Sequence, residues 1–175
     1  MVRSKERKQN RLKDWNYSSD GWYFITICTQ NREEHFGEII DGEMVLSECG
    51  KIAKQCWEEI RDHFYGCELD EFIVMPNHIH GIVVIEQKDC VASVGNRYIC
   101  SLPKNTMKLS KIIGTYKAAV TRKINKSQEE FLFQWQKSFY DHIIRDEKAL
   151  RKIREYIYYN VDKWEQDEEN PQNII

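Results

Sequence analysis

CELDEFIVMPNHIHGIVVIEQ, residues 67–87, is the longest strand-like pattern in the chain. Pro76 cannot donate to a β-ladder, so a break near it divides the stretch into two paired strands. Side chains two apart on a strand share a face. His78 and His80 therefore project together, and Ile79 turns to the opposite side. Two imidazoles so placed can share one divalent cation. Two hydrogen-bonded structural histidines would be spelled the same way. Two ligands are also too few, so a metal site needs a third donor from elsewhere in the chain.

Upstream, GWYFITICTQN (21–31) is aromatic and β-branched between turn formers, and it predicts a strand. In HFGEIIDGEMVLS (35–47), Asp41-Gly42 between short apolar runs predicts a hairpin. Ser47 then caps an amphipathic helix carrying Ile52, Cys56, Trp57 and Ile60 at helical spacing. Downstream, residues 87–106 lose periodicity and read as a loop. MKLSKIIGTYKAAVTRKIN (107–125) predicts a helix with an apolar stripe of Leu109, Ile112, Ile113, Tyr116 and Val120. FLFQWQKSFYDHIIRD (131–146) reads as a strand region, and Asp146 caps a last helix running toward Trp164. The order β, hairpin, α, ββ, α, β, α is α+β. It predicts a mostly antiparallel sheet with helices packed on it, in a ferredoxin-like arrangement.

The last helix offers the missing donor. Tyr156 and Asn160 are four apart in REYIYYN and share a helix face. Asn160 supplies a neutral oxygen suited to Mg²⁺ or Mn²⁺ alongside imidazole. Tyr156 stands one turn away, where a phenol can serve as a nucleophile. Tyr158 and Tyr159 are rivals by residue type but point elsewhere on the helix.

The chain has 175 residues, 41% hydrophobic and 31% charged, which suits one domain with a core. It lacks an apolar run long enough to span a membrane and a secretory leader, so a cytoplasmic protein with reduced thiols and no membrane partner is expected. The net charge of -2 conceals an uneven distribution. Residues 1–14 form a basic arm bearing Arg3, Lys5, Arg7, Lys8 and Arg11, and residues 165–175 form an acidic polar tail. Residues 15–164 make the single domain between them. The arm, with Lys108, Lys111, Lys117, Arg122 and Lys123 of the basic helix, is the expected phosphate-holding surface.

MPNHIHGIVVI (75–85), joined to SFYDHIIRDEKALRKIREYIYYN (138–160), resembles the REP-associated tyrosine transposases. These belong to the single-tyrosine HUH (His-hydrophobic-His) superfamily. The resemblance extends from about residue 7 to residue 164, through GEMVLSECGKIAKQCWEEI and LSKIIGTYKAAVTRKIN. It implies a ferredoxin-like nuclease that cuts and rejoins single-stranded, hairpin-forming DNA through a covalent 5′-phosphotyrosine, acting as a monomer or homodimer. On that resemblance His78, His80 and Asn160 hold the divalent metal, Tyr156 is the nucleophile, and His142 orients substrate or supports the site. One departure is Val161, where the family often has Pro after the Asn; the helix is then free to run on. Two rival readings stand beside this one. A non-catalytic ferredoxin-like single-stranded nucleic-acid binder would keep the fold without turnover, and a metal-dependent hydrolase would use water in place of tyrosine.

Overall fold

The computed structural model describes residues 20–64, 66–86, 93–94, 97–98, 109–127 and 132–173. The strand pair predicted around Pro76 forms one half of its main sheet. Strand β1 (Gly21–Cys28) is followed by the hairpin β2 (Gly37–Ile40) and β3 (Glu43–Leu46). Helices α1 (Glu48–Glu58) and α2 (Ile60–His63) lead into β4 (Cys67–Val74) and β5 (His78–Ile85). A short ladder of β6 (Ser93–Val94) and β7 (Arg97–Tyr98) precedes α3 (Leu109–Ser127), β8 (Tyr140–Ile144) and α4 (Glu147–Tyr158). The main sheet has the order β4-β5-β1-β8, and every pairing in it is antiparallel. With α1 and α3 as its two crossovers, this is the expected ferredoxin-like sheet.

Local chemistry explains the boundaries. Ser47 accepts a hydrogen bond from Gly50 N at 3.1 Å and starts α1. Asp146 does the same for Ala149 N at 2.8 Å and starts α4. The hairpin turn takes positive φ at Asp41 (52°) and Gly42 (79°), as a two-residue turn joining twisted strands requires. Met75, Pro76 and Asn77 form the break between β4 and β5, closed by Met75 N donating to His78 O at 2.8 Å.

Alternation along β5 divides the molecule into two layers. Ile79, Val83 and Ile85 join Tyr23, Ile25, Trp57, Ile112 and Tyr116 in the larger core beneath α1 and α3. Ile82 and Val84 join Phe24, Ile144, Leu150 and Ile157 beneath α4. β5 is buried on both faces, so its histidines are interior residues.

The structure adds to the sequence expectations and in places changes them. Gly81 faces the α1 layer, where a Cβ would lie 2.3 Å from a ring carbon of Trp57. The strand expected over 131–146 begins only at Tyr140; before it, Trp135 makes an isolated bridge to Thr29. Residues 164–173, most of them in the expected acidic polar tail, form two 3₁₀ turns, with Asp167 and Asn170 buried against the domain. Val161 does not extend the helix: α4 stops at Tyr158, with Tyr159 as its C-cap.

Candidate active site

His78 and His80 lie on the α4 side of the sheet and are 0% and 3% exposed. Their Nε2 atoms are 3.0 Å apart. Asn77 sets the orientation of the first ring. Its amide nitrogen donates to Arg32 O (3.0 Å) and Glu169 O (2.8 Å), so its oxygen faces His78 Nδ1 at 2.8 Å. His78 therefore carries its proton on Nδ1 and turns the lone pair of Nε2 inward. On the second ring, Nδ1 lies 2.9 Å from Thr26 Oγ1 on the neighbouring strand. Such a partner leaves Nε2 as the atom turned toward His78.

α4 brings the tyrosine. Tyr156 Oη is 3.1 Å from His80 Nε2, and its ring meets the His80 ring edge-on at 5.1 Å. Phe24 packs against both rings. Among the other tyrosines, Tyr116 is buried on the far layer and donates to Ala53 O. Tyr158 and Tyr159 pack against each other on the surface. Of the three tyrosines in this helix end, only Tyr156 lines the cavity over the histidines.

The refolded C-terminal segment completes the cluster with a residue that sequence reasoning missed. Asp167 is 8% exposed, and a carboxylate oxygen lies within 4.8 Å of a ring nitrogen of each histidine. Asn160 Nδ2 donates to Asp167 Oδ2 at 3.2 Å, while Asn160 Oδ1 is buried without a hydrogen-bond partner. Two imidazole nitrogens, a carboxylate and an orphaned amide oxygen suit a divalent cation that accepts mixed nitrogen and oxygen donors. The residues present therefore fit a divalent cation.

Electrostatics agree with a site built for a cation. Burial pushes His78 down to about 3, and the nearby Arg32 charge adds to the effect. Burial, then the neighbouring His78, holds His80 well below the ordinary imidazole range. Both rings are thus neutral imidazoles at pH 7. Burial raises Tyr156 to about 12, and the Asp167 charge adds to it, so the resting phenol keeps its proton. Cys28, also in the cavity wall, is raised by burial and is an inert thiol at neutral pH.

The remaining predicted site residues fall elsewhere. His142 is exposed on the edge strand β8, opposite Phe24, and outside the cavity lining. Lys117 donates to Gln136 O and Ser138 O at 2.6 and 3.1 Å, and Lys123 pairs with Glu59 at 3.0 Å. Lys111 and Arg122 are exposed on α3, in the layer opposite α4. Arg3, Lys5, Arg7, Lys8, Arg11 and Lys108 lie outside the described residues. The cavity itself carries a different cation, Lys163.

No family model matches the chain. An uncharacterized protein of Haemophilus influenzae is 45% identical over 166 residues, covering 93% of this chain and 92% of that one. A second protein of Haemophilus influenzae, provisionally named a REP-associated tyrosine transposase, is 24% identical over 152 residues, covering 83% of this chain and 72% of its own length. Among solved structures, a REP-associated tyrosine transposase bound to a REP hairpin has a TM-score of 0.56 at 20% identity, covering 82% of this chain and 67% of that one. That likeness shows a common fold. The sheet order and the packing of α4 on the second face agree with that common fold. More narrowly, the chain is similar in sequence to one protein named a REP-associated tyrosine transposase and in fold to another. Among the described residues, no helix is long and apolar enough to cross a membrane.

Proposed function

We propose that this chain is a divalent-metal-dependent endonuclease and strand transferase acting on single-stranded, hairpin-forming DNA. The observation that carries the reading is Tyr156 Oη at 3.1 Å from His80 Nε2, beside a donor set that fits a cation. A solved relative bound to a REP hairpin supports hairpin DNA as the substrate class.

His78, His80 and Asp167 would hold the metal, with Asn160 Oδ1 as a further oxygen donor. When bound, it supplies polarisation of the scissile phosphate and stabilises the charge developing there. Tyr156 then forms a bond to phosphorus as the bond to the 3′-oxygen breaks. The phenolic proton leaves to solvent, and the departing 3′-alkoxide takes a proton from water. The product is a 5′-phosphotyrosyl enzyme with a free 3′-hydroxyl. Attack by that hydroxyl, or one from another strand, reverses the exchange and frees Tyr156. One phosphodiester replaces another at each step, so no nucleotide cofactor is consumed. Lys163 in the cavity wall is placed to meet a phosphate, and the exposed Lys111 and Arg122, with the basic arm, would serve a strand that wraps around the domain. His142, on the exposed edge strand, is a place to orient DNA at the cavity's margin.

The test is denaturing electrophoresis of labelled hairpin DNA incubated with protein and Mn²⁺. A labelled band at protein size is expected. Cleaved DNA without attached protein would favour a water nucleophile, and binding without cleavage would favour a non-catalytic role.

A further inference from the structure

The cavity over the histidines holds more than a metal and a phosphate need. Its volume is about 690 Å³, and it continues from Tyr156 and His80 past Thr26 to Gln136, Ser138, Phe139 and Tyr140. Tyr140 is opposite Thr26 in the β1–β8 register, and Thr26 is opposite His80 in the β1–β5 register. These three side chains share one row and one face, so Tyr140 lies about two strand spacings, roughly 10 Å, from His80. Yet Tyr140 is 50% exposed, in a row where His80 and Thr26 are buried.

The wall that carries Tyr140 is held rigidly. Gln136 N donates to Cys28 O at 2.9 Å, and Gln30 N donates to Gln134 O at 2.9 Å. Lys117 ties the carbonyls of Gln136 and Ser138 to α3, and Trp135 Nε1 returns a bond to Lys117 O at 3.2 Å. A half-exposed aromatic ring on a pinned wall, beside amide and hydroxyl groups, is a preorganised platform for a flat heteroaromatic ligand.

We propose that this end of the cavity is a nucleobase-stacking subsite, with Tyr140 as its platform and Phe139 and Gln136 at its sides. It takes the base of a nucleotide next to the phosphate that Tyr156 attacks, and to that extent rests on the function proposed above. Stacking on an aromatic face accepts any base, so the subsite grips single-stranded DNA without reading its sequence.

The experiment measures binding without divalent metal, so an inactive protein still answers it. A randomised 30-mer single-stranded DNA pool is compared with a 30-mer of abasic spacer phosphates. The native protein should bind the DNA pool more tightly than the abasic polymer. Tyr140→Ala should lose roughly 5- to 150-fold of that preference, the equivalent of one base stacked on an aromatic ring. Tyr140→Phe should keep it. Unchanged preference in Tyr140→Ala, or equal loss in Tyr140→Phe, overturns the proposal. Photocross-linking of the native protein to a 5-iodouracil-substituted pool gives a reading free of folding effects: a cross-link at Tyr140 supports the subsite, and cross-links confined to other segments overturn it. Adduct formation with Mn²⁺ on the same pool is scored separately. Its absence counts against Tyr156 as nucleophile and leaves the base-binding result standing.

Discussion

Tyr156 Oη and His80 Nε2 meet at 3.1 Å across 76 residues of sequence. Tyr156→Phe removes one hydroxyl and keeps the ring that packs on Phe24. The variant should form no covalent DNA adduct in Mn²⁺ while binding hairpin DNA as before. Its thermal stability should fall by no more than about 1 kcal/mol, the value of one net hydrogen bond. Adduct formation at the native level in this variant would remove Tyr156 from the chemistry.

Mn²⁺ should stabilise the protein against heat. At one hundred times its Kd a ligand of the folded state adds about 2.7 kcal/mol. Asp167→Asn keeps the shape and removes the charge, and should weaken Mn²⁺ roughly tenfold or more by isothermal titration. Asn160→Ala should weaken it less, because the donor lost is neutral. Native affinity in Asp167→Asn would show that the carboxylate is not a ligand.

Stability should depend on pH through the histidines. His78 sits at about 3 and His80 well below its ordinary range, while unfolded histidine titrates near 6.5. Between those limits the unfolded chain binds more protons, so the folded state gains stability as pH rises. The contribution is full above about 6.5 and is lost as pH falls toward 3. In EDTA, the Tm at pH 5 should lie more than about 5 °C below that at pH 7. His78→Ala should flatten this slope, and an equally steep slope in the variant would place its origin elsewhere.

The sequence signals that proved readable were short-range ones. Ser47 and Asp146 announced their helices because a cap is a contact with a residue three positions on. His78 and His80 were readable as a pair because strand geometry puts alternate residues together. Asp167 was not. It sits in EQDEEN among chemically similar neighbours, and only the fold-back of residues 164–173 selects it over Glu165 or Glu168. Gly81 likewise gave no hint of its partner, because Trp57 reaches it through packing between layers. The basic stripe on α3 was visible in the sequence, but nothing local could say that Lys117 and Lys123 would be engaged inside the domain.

Gly81→Ala should be costly despite its size. The new Cβ would lie 2.3 Å from the Trp57 ring, and both belong to a closely packed layer. Overpacking of this kind costs about 1–3 kcal/mol. Pairing it with Trp57→Phe should recover part of the loss, as read by urea unfolding.

Arg154 should matter more to the reaction than to stability. Its guanidinium grips Asp70 with two bonds of 2.8 and 2.6 Å and lies over the Trp22 ring, tying the tyrosine helix to β4. The pair is partly solvated, so Arg154→Ala should cost under about 1 kcal/mol. The rate of adduct formation should drop further than that figure implies, because Tyr156 is two residues away on the same helix. An unchanged rate would show that apolar packing alone seats α4.

Asn77 has one further consequence. Its two N–H groups are taken by carbonyls of residues 32 and 169, and its oxygen is left to meet His78. The position of a single proton on an imidazole is thereby coupled to where the chain's last turns lie. If residue 169 moves away, the amide keeps only the Arg32 carbonyl to hold it, and the partner that selects the ring's tautomer is less firmly fixed. A displacement of backbone at the far end of the chain is converted at this amide into a choice between two nitrogen atoms.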